Sequence, residues 1–296
     1  MSADQMSAAT PALVGVLGGG RMGAGIAHSF LLAGSRVVVV ERDAEAATAA
    51  ADRIRSSIDT SVARGATSRS AESLAHALST STDVAEFAAA GLVVEAVPED
   101  FALKRAALKR VEAVLPPSAA IASNTSSMSI DALADELARP ARFLGLHFFN
   151  PVPASKLVEI VLGSSTDADL AAEAQGWVAA LGKTPVTVSD APGFASSRLG
   201  VALGLEAIRL LEDGVASAAD IDAAMTLGYR HPVGPLETTD LVGLDVRLGI
   251  AEYLHQQLGV RFEPPALLRR LVAEGKLGRK TGEGFYVWTD GEKEIR

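Results

Sequence analysis

The sequence contains no cysteine. A chain without cysteine can form no disulfide and no thiolate metal site, and it has no thiol nucleophile. Covalent thioester chemistry of the thiolase kind is therefore excluded. The same absence is typical of proteins from the reducing cytoplasm, and we expect a cytoplasmic location.

Long apolar runs are missing as well. No run approaches the roughly 18 residues that a membrane helix needs, and residues 1–12 lack the basic and apolar segments of a signal peptide. We expect residues 1–11 to form a disordered tail, and we expect no contact with a membrane.

Positive charge is also scarce. Of the 296 residues, 27 are Lys or Arg and 36 are Asp or Glu, which gives a formal net charge of −9. Nothing in this balance attracts nucleic acid, so we expect no nucleic-acid partner. A phosphate-bearing ligand has to be bound by local features of the chain.

The hydrophobic pattern of the first two thirds alternates between strands and helices. An apolar run at residues 13–17 is followed by three glycines, by helical spacing at 21–32 and by four valines at 37–40, which predicts a βαβ unit. Further helices are predicted at 44–64 and 103–115, and further strands at 92–96, 119–123, 142–147 and 158–161. This order indicates an open, doubly wound and mostly parallel α/β sheet of the Rossmann type over residues 12–189.

The pattern changes after the strand-like residues 185–188. Helical periods separated by glycine or proline follow at residues 198–211, 218–227, 241–258 and 265–274. We therefore predict an all-helical C-terminal domain over residues 190–296.

The glycines between the first strand and the first helix form the motif Gly18-x-Gly20-x-x-Gly23. Such a turn lets a pyrophosphate approach the backbone at the start of a helix, and an acidic residue at the end of the next strand binds the adenosine ribose. Glu41 has that position. The motif in this context predicts a dinucleotide site, with Arg21 and Met22 among the cofactor-binding residues.

Several motifs together resemble the L-3-hydroxyacyl-CoA dehydrogenase family, in the same order along residues 12–288. They are the glycine motif of residues 14–27, Ser123-Asn124-Thr125-Ser126-Ser127, His147-Phe148-Phe149-Asn150-Pro151, Lys156-Leu157-Val158-Glu159 and Gly278-Arg279-Lys280-Thr281-Gly282-Glu283-Gly284-Phe285-Tyr286. The resemblance implies NAD as cofactor, an acyl-CoA thioester as substrate and a homodimer assembled through the second domain.

The candidate base is His147, which ends a predicted strand at the edge where open α/β sheets bind ligands. Removal of a hydroxyl proton during hydride transfer suits a histidine. The resemblance implies that Glu159 orients His147 and that Ser123 and Asn150 hold the reacting oxygen or its neighbours. A carboxylate on one ring nitrogen fixes the tautomer and stabilises the imidazolium. His231 is the rival base.

The resemblance also implies further binding residues. Glu99 and Lys104 match the positions beside the nicotinamide, and Ser57 and Arg64 match positions against CoA. For each of these four residues the alternative interpretation is structural, as a helix cap or as part of a solvent-exposed helix face. No metal is expected.

One position departs from the family pattern. Where the family has Pro-Gly-Phe-x-x-Asn-Arg, this chain has Ser197 in place of an asparagine that helps to bind the substrate oxygen. A hydroxyl is shorter than an amide and offers one donor instead of two.

The expected reaction is the interconversion of (S)-3-hydroxyacyl-CoA and 3-ketoacyl-CoA, with short chains such as 3-hydroxybutyryl-CoA. Two alternatives stay open at this point: a dehydrogenase of a free hydroxy or sugar acid, as in the lambda-crystallin and gulonate branch, and a catalytically silent NAD-binding protein of the same fold.

Overall fold

The computed structural model describes residues 9–294. The chain divides after Asp190 into two compact units, at the position where the sequence pattern changes. The predicted disorder of residues 1–8 lies outside the described residues. Next to them, the hydroxyl of Ser35 donates to the carbonyl of Pro11 at 2.7 Å and lies 2.8 Å from the hydroxyl of Thr10, so residues 10 and 11 contact the end of the loop before β2.

The first unit is built on an eight-stranded sheet in the order β3-β2-β1-β4-β5-β6-β7-β8. All neighbouring strands run parallel except β6 and β7, which are antiparallel. The strands are β1 Leu13–Leu17, β2 Arg36–Val40, β3 Leu78–Ser81, β4 Leu92–Glu95, β5 Ala120–Ser123, β6 Phe143–Phe148, β7 Leu157–Leu162 and β8 Thr184–Ser189.

Six α-helices accompany this sheet within the described residues. They are α1 Arg21–Leu32, α2 Ala44–Ala63, α3 Ala71–His76, α4 Phe101–Val114, α5 Ile130–Ala134 and α6 Ala168–Ala180. The valines of β2 are buried, as expected for a parallel strand covered on both faces. One buried core joins α1, α2, α3 and α6 to the strands, whereas α4 contacts β4 and β5 and α5 contacts β6. The predicted fold class is confirmed.

The second unit is mainly helical. Its helices are α7 Ser196–Glu212, α8 Ala218–Gly228, α9 Pro235–Val242, α10 Leu244–Leu258 and α11 Ala266–Ala273, and a two-stranded ladder of β9 Trp288–Thr289 and β10 Glu292–Lys293 follows them. The single helix predicted at residues 241–258 is wrong. Gly243, with φ +106°, ends α9 and begins α10, because this backbone conformation cannot continue a helix.

Buried Asp240 binds the C-terminal segment, residues 285–288, through hydrogen bonds. Its carboxylate accepts hydrogen bonds from the backbone N–H groups of Phe285 and Tyr286 and from the indole of Trp288, at 2.8–2.9 Å. Burial raises the pKa of Asp240, and these three donors oppose that shift. The carboxylate thus satisfies backbone groups that the short ladder leaves unpaired.

None of the helices within residues 9–294 is long and apolar enough to cross a bilayer.

Candidate active site

The glycine turn after β1 leaves backbone open on one side and packs tightly on the other. Gly18 has φ +93°, and its N–H donates to the carbonyl of Val40 at 2.9 Å. A Cβ on Gly23 would lie 1.8 Å from the carbonyl oxygen of Gly18, whereas a Cβ on Gly20 would meet nothing within 4 Å. The turn therefore has the form of a cradle with free space at Gly20, next to the first N–H groups of α1.

Glu41 lies beside this turn, directly after β2. Its Oε1 accepts the N–H of Gly19 at 2.6 Å, and Arg53 of α2 donates to the Gly19 carbonyl at 2.7 Å. The neighbouring Arg42 is exposed and pairs with Asp43. The acidic group and the open backbone are thus at the same edge of the sheet.

These residues fit a dinucleotide. The open backbone at Gly20 and the N-terminus of α1 suit a pyrophosphate, and Glu41 suits ribose hydroxyls. Arg21 is exposed, whereas Met22 is half-buried and packs against the core of the unit.

A buried charged network joins the ends of β4 and β5. The carboxylate of Glu95 accepts the hydroxyl of Ser123 at 2.6 Å, the ammonium of Lys104 at 2.8 Å and the N–H of Val97 at 2.7 Å. Glu95, Lys104 and Ser123 are each at most 1% exposed. Glu95 was not among the sequence candidates, because an acidic residue that ends an apolar strand gives no sign of its burial.

Lys104 also contacts Glu99. The ammonium lies 3.2 Å from Oε2 of Glu99 and donates to the carbonyl of Val97 at 3.2 Å, so its three hydrogens all face protein oxygens. Glu99 is exposed, and its Oε1 accepts the hydroxyl of Thr125 and the N–H of Ser126. Of the two predicted nicotinamide-side residues, Glu99 is the one with accessible surface.

His147 and Glu159 form a buried pair across β6 and β7. The two residues are directly opposite in the antiparallel ladder, and His147 Nδ1 lies 2.8 Å from Glu159 Oε2. His147 is 6% exposed and Glu159 is 1% exposed. The ring of Phe149 lies 4.4 Å from the imidazole. The structure therefore brings together the predicted base and the predicted orienting acid.

The loop after β6 carries the predicted Asn150. This residue is exposed, and its bond to Pro151 is cis. Lys183 donates to the carbonyls of Val152 and Ser155, which fixes the next turn of the loop. Asn124, which sequence reasoning did not single out, accepts the N–H of Phe148 at 2.9 Å and so ties β5 to the end of β6. Its place between Ser123 and Thr125 in a quoted motif was the available signal.

The predicted CoA residues line a cleft beside α2. Its volume is about 610 Å³, and most of its polar groups are hydroxyls. Ser57 donates to the carbonyl of Arg53 at 3.0 Å, and Arg64 caps the C-terminus of α2. The other polar lining residues are His28, Ser29, Ser56, Thr60, Ser61 and Lys183.

Ser197 and His231 belong to the second unit. Ser197 is in the first turn of α7 and is partly buried, directly after a turn in which Gly193 has φ +74° and Phe194 has φ +52°. His231 follows α8, and its N–H donates to the carbonyl of Met225. Within residues 9–294 no group of three His, Asp or Glu side chains is placed to hold a metal ion.

Comparison with known proteins assigns both units to one family. Residues 13–191 match the family described as "3-hydroxyacyl-CoA dehydrogenase, NAD binding domain", and residues 193–288 match "3-hydroxyacyl-CoA dehydrogenase, C-terminal domain". The probable 3-hydroxybutyryl-CoA dehydrogenase of Deinococcus radiodurans is 41% identical over 275 residues, which cover 93% of this chain and 99% of that protein.

Two further proteins support this assignment. The 3-hydroxybutyryl-CoA dehydrogenase of Mycobacterium tuberculosis is 41% identical over 279 residues, covering 93% of this chain and 98% of that protein. The crystal structure of (S)-3-hydroxybutyryl-CoA dehydrogenase PaaH1 from Ralstonia eutropha matches with a TM-score of 0.89 at 37% identity, over 95% of this chain and all of that chain. The chain therefore belongs to the 3-hydroxyacyl-CoA dehydrogenase family.

Proposed function

We propose that this protein is an NAD-dependent dehydrogenase that interconverts (S)-3-hydroxyacyl-CoA and 3-ketoacyl-CoA thioesters. The observation that carries the proposal is the buried His147–Glu159 pair, with 2.8 Å between Nδ1 and Oε2. Homologues at about 40% identity that are named 3-hydroxybutyryl-CoA dehydrogenase support a short acyl chain.

His147 exchanges the proton of the reaction. With Nδ1 facing Glu159, Nε2 is the nitrogen that takes the hydroxyl proton when the alcohol is oxidised and returns it when the ketone is reduced. Glu159 holds the ring in this tautomer and stabilises the positive charge that forms on it. Because both groups are buried, this stabilisation acts at reduced dielectric and is stronger than at the surface.

When bound, NAD would accept the hydride from C3 of the substrate, and NADH would supply it in the reverse direction. The chain binds the cofactor through the cradle at Gly18, Gly20 and Gly23 and through Glu41. Glu99 contributes an exposed carboxylate at the ends of β4 and β5, and Lys104 holds Glu99 in place.

Ser123 and Asn150 position the reacting groups, and Ser197 is a further substrate-binding residue. Ser57 and Arg64 bind the CoA moiety in the cleft beside α2, where Arg64 offers a cation for a phosphate. In this proposal residues 12–189 form the cofactor-binding domain and residues 190–296 form the substrate and dimerisation domain.

Homodimerisation through the second unit and a cytoplasmic location are also part of the proposal. Leu199 and Leu227 are 71% and 82% exposed, and exposed apolar side chains of this size favour association. Light scattering at micromolar concentration is expected to give twice the chain mass of 30.5 kDa. A mass of one chain would contradict the dimer.

A substrate panel tests the reaction class. Purified enzyme should oxidise NADH when acetoacetyl-CoA is added, and it should leave a free sugar acid such as gulonate unoxidised in the presence of NAD. Oxidation of gulonate without turnover of acetoacetyl-CoA would instead place the protein with the free hydroxy acid dehydrogenases. Absence of turnover with both would indicate a silent NAD-binding homologue.

A further inference from the structure

Lys183, in the turn between α6 and β8, is a half-buried cation that is held by carbonyl oxygens. Its ammonium donates to the carbonyl of Val152 at 2.6 Å and to the carbonyl of Ser155 at 2.5 Å. Burial lowers the pKa of Lys183, and within residues 9–294 no carboxylate pairs with it to oppose that shift. An ammonium has three hydrogens, so these two carbonyls leave one hydrogen for a further acceptor.

The two carbonyls belong to the loop between β6 and β7, which carries Asn150. Val152 is 2% exposed and packs against α1, where a Cβ on Gly25 would lie 2.8 Å from the Cβ of Val152. The ladder of β6 and β7 holds the residues before Asn150, and the ammonium of Lys183 holds the backbone two residues after it. The position of Asn150 therefore depends on Lys183.

Lys183 also lines the cleft of about 610 Å³ beside α2, in which the proposed function places the CoA moiety. Pro153 and Ala154 of the same loop form part of the wall of this cleft, and Arg64 is a second cation in its lining. None of the described residues that line it is an Asp or a Glu, although the whole chain has a net charge of −9. A cleft lined by cations and hydroxyls, without carboxylates, suits phosphate groups.

A cation that loses hydration is stabilised when an anion replaces the lost water. Lys104 in the same unit shows this arrangement, since its buried ammonium contacts two carboxylates and a carbonyl. Lys183 contacts two carbonyls and the cleft. An occupant of the cleft is therefore in a position to supply the anion.

We propose that Lys183 is a positioning residue that couples the CoA moiety to the loop that carries Asn150. A phosphate of bound CoA accepts the third hydrogen of the ammonium, while the other two hydrogens hold the loop. This inference rests on the proposed function and adds a residue to it. No covalent bond changes at Lys183. Its effect on the reaction is to place Asn150 correctly, because a misplacement of about 1 Å in a group that positions the substrate can lower the rate by about 10²-fold.

A truncated substrate tests this coupling. Acetoacetyl-N-acetylcysteamine has the acyl group and the thioester of acetoacetyl-CoA but no phosphate. We expect Lys183→Met to lower kcat for NADH oxidation by at least about tenfold with acetoacetyl-CoA. With the truncated thioester the loss should be less than about threefold, because no phosphate completes the contacts of Lys183 even in the wild type.

Further variants separate this effect from folding. Lys183→Arg keeps the charge and several donors, and it should recover part of the kcat with acetoacetyl-CoA. Lys183→Gln serves for the same comparison if Lys183→Met does not fold, since the amide can donate to one carbonyl of the loop. Lys156→Met is the matched control. It removes an exposed lysine from the same loop, outside the lining of the cleft, and should leave kcat with both thioesters unchanged.

Acetoacetyl-dephospho-CoA identifies the phosphate, because it lacks the 3′-phosphate and keeps the diphosphate. A loss of at least about tenfold on Lys183→Met with this substrate would assign the contact to the diphosphate. A loss of less than about threefold would assign it to the 3′-phosphate. In each variant the Kd for NADH, measured by fluorescence, should stay close to that of wild type, since the cofactor cradle is at the glycine turn after β1.

Three results would contradict the coupling or the function beneath it. If Lys183→Met lowers kcat by the same factor with both thioesters, Lys183 has only a structural role and the inference is wrong. If it raises the KM for acetoacetyl-CoA and leaves kcat unchanged, Lys183 binds CoA without acting on the loop, and the coupling is again wrong. If the wild type does not reduce acetoacetyl-CoA at all, the proposed function itself is wrong.

Discussion

The hydroxyl of Ser123 donates a 2.6 Å hydrogen bond to Oε2 of Glu95, its neighbour across β5 and β4. This hydrogen bond takes the single hydroxyl hydrogen of Ser123. A further group that contacts the hydroxyl therefore has to donate a hydrogen bond to its oxygen. Glu95 depends in turn on Lys104, which supplies the positive charge beside it. A serine expected at the reaction centre is thus oriented by an ion pair buried in the sheet.

Removal of Lys104 tests the importance of this pair. Lys104→Met should lower the free energy of unfolding by about 3–5 kcal/mol, because Glu95 would remain buried without its counterion. Urea unfolding measures the change. Lys109→Met is the matched control, since Lys109 is on the same helix in an exposed pair with Glu136 and should have little effect. Equal losses in the two variants would contradict a special role for the buried pair.

Glu41 should select NAD over NADP. Its carboxylate at the glycine turn would repel a 2′-phosphate on the adenosine ribose, and exposed Arg42 is paired with Asp43. We expect kcat/KM with NADH to exceed that with NADPH by at least about tenfold, and Glu41→Ala to narrow this ratio. Glu45→Ala, on the exposed first turn of α2, should leave the ratio unchanged. An equal or better kcat/KM with NADPH in the wild type would overturn the expectation.

Ser197 should influence the chemical step. Ser197→Asn restores a longer amide donor to the substrate oxygen and should raise kcat roughly fivefold, as expected for about 1 kcal/mol from one hydrogen bond. Ser197→Ala should lower kcat. If Ser196→Ala is impaired and Ser197→Ala behaves like wild type, the alignment with the family motif is wrong by one residue.

His28 should make stability depend on pH. Burial lowers its pKa, and its Nε2 lies 3.0 Å from the Ser61 hydroxyl. The unfolded chain binds a proton near pH 6.5 and the folded protein binds it only at lower pH, so stability falls as the pH drops below about 6.5. His28→Gln removes the titrating group and with it this loss of stability at low pH. Denaturant unfolding between about pH 7.5 and about pH 5.5 should therefore favour the variant increasingly at low pH, whereas the exposed His76→Gln should follow wild type.

The sequence was most informative where local signals agreed. The predicted bounds of β1 and α1 match the structure, because an apolar run, a glycine turn and helical periodicity all point to the same boundaries. Strand β3, Leu78–Ser81, was not predicted. It is a partly exposed edge strand of mostly polar residues, and its place is set by pairing with β2.

In the candidate active site, too, local motifs were informative and contacts between distant residues could not be predicted. His147 and Glu159 were identified from motifs, and the antiparallel pairing of β6 and β7 explains their contact. The burial of Glu95 and Arg247 could not be predicted, because it depends on neighbours distant in sequence. The guanidinium of Arg247 on α10 packs against Gly200 and Gly204 of α7, and the periodicity of α10 alone does not predict this contact.

The rate of acetoacetyl-CoA reduction by His147→Gln is the most direct test of the account. If His147 donates the proton to the substrate oxygen, kcat should fall by about 10²-fold or more while the KM for NADH stays close to that of wild type. The amide keeps the side chain polar and cannot act as the acid or base. Turnover by this variant at nearly the wild-type rate would contradict the account and transfer the role to another group, with His231 the first candidate.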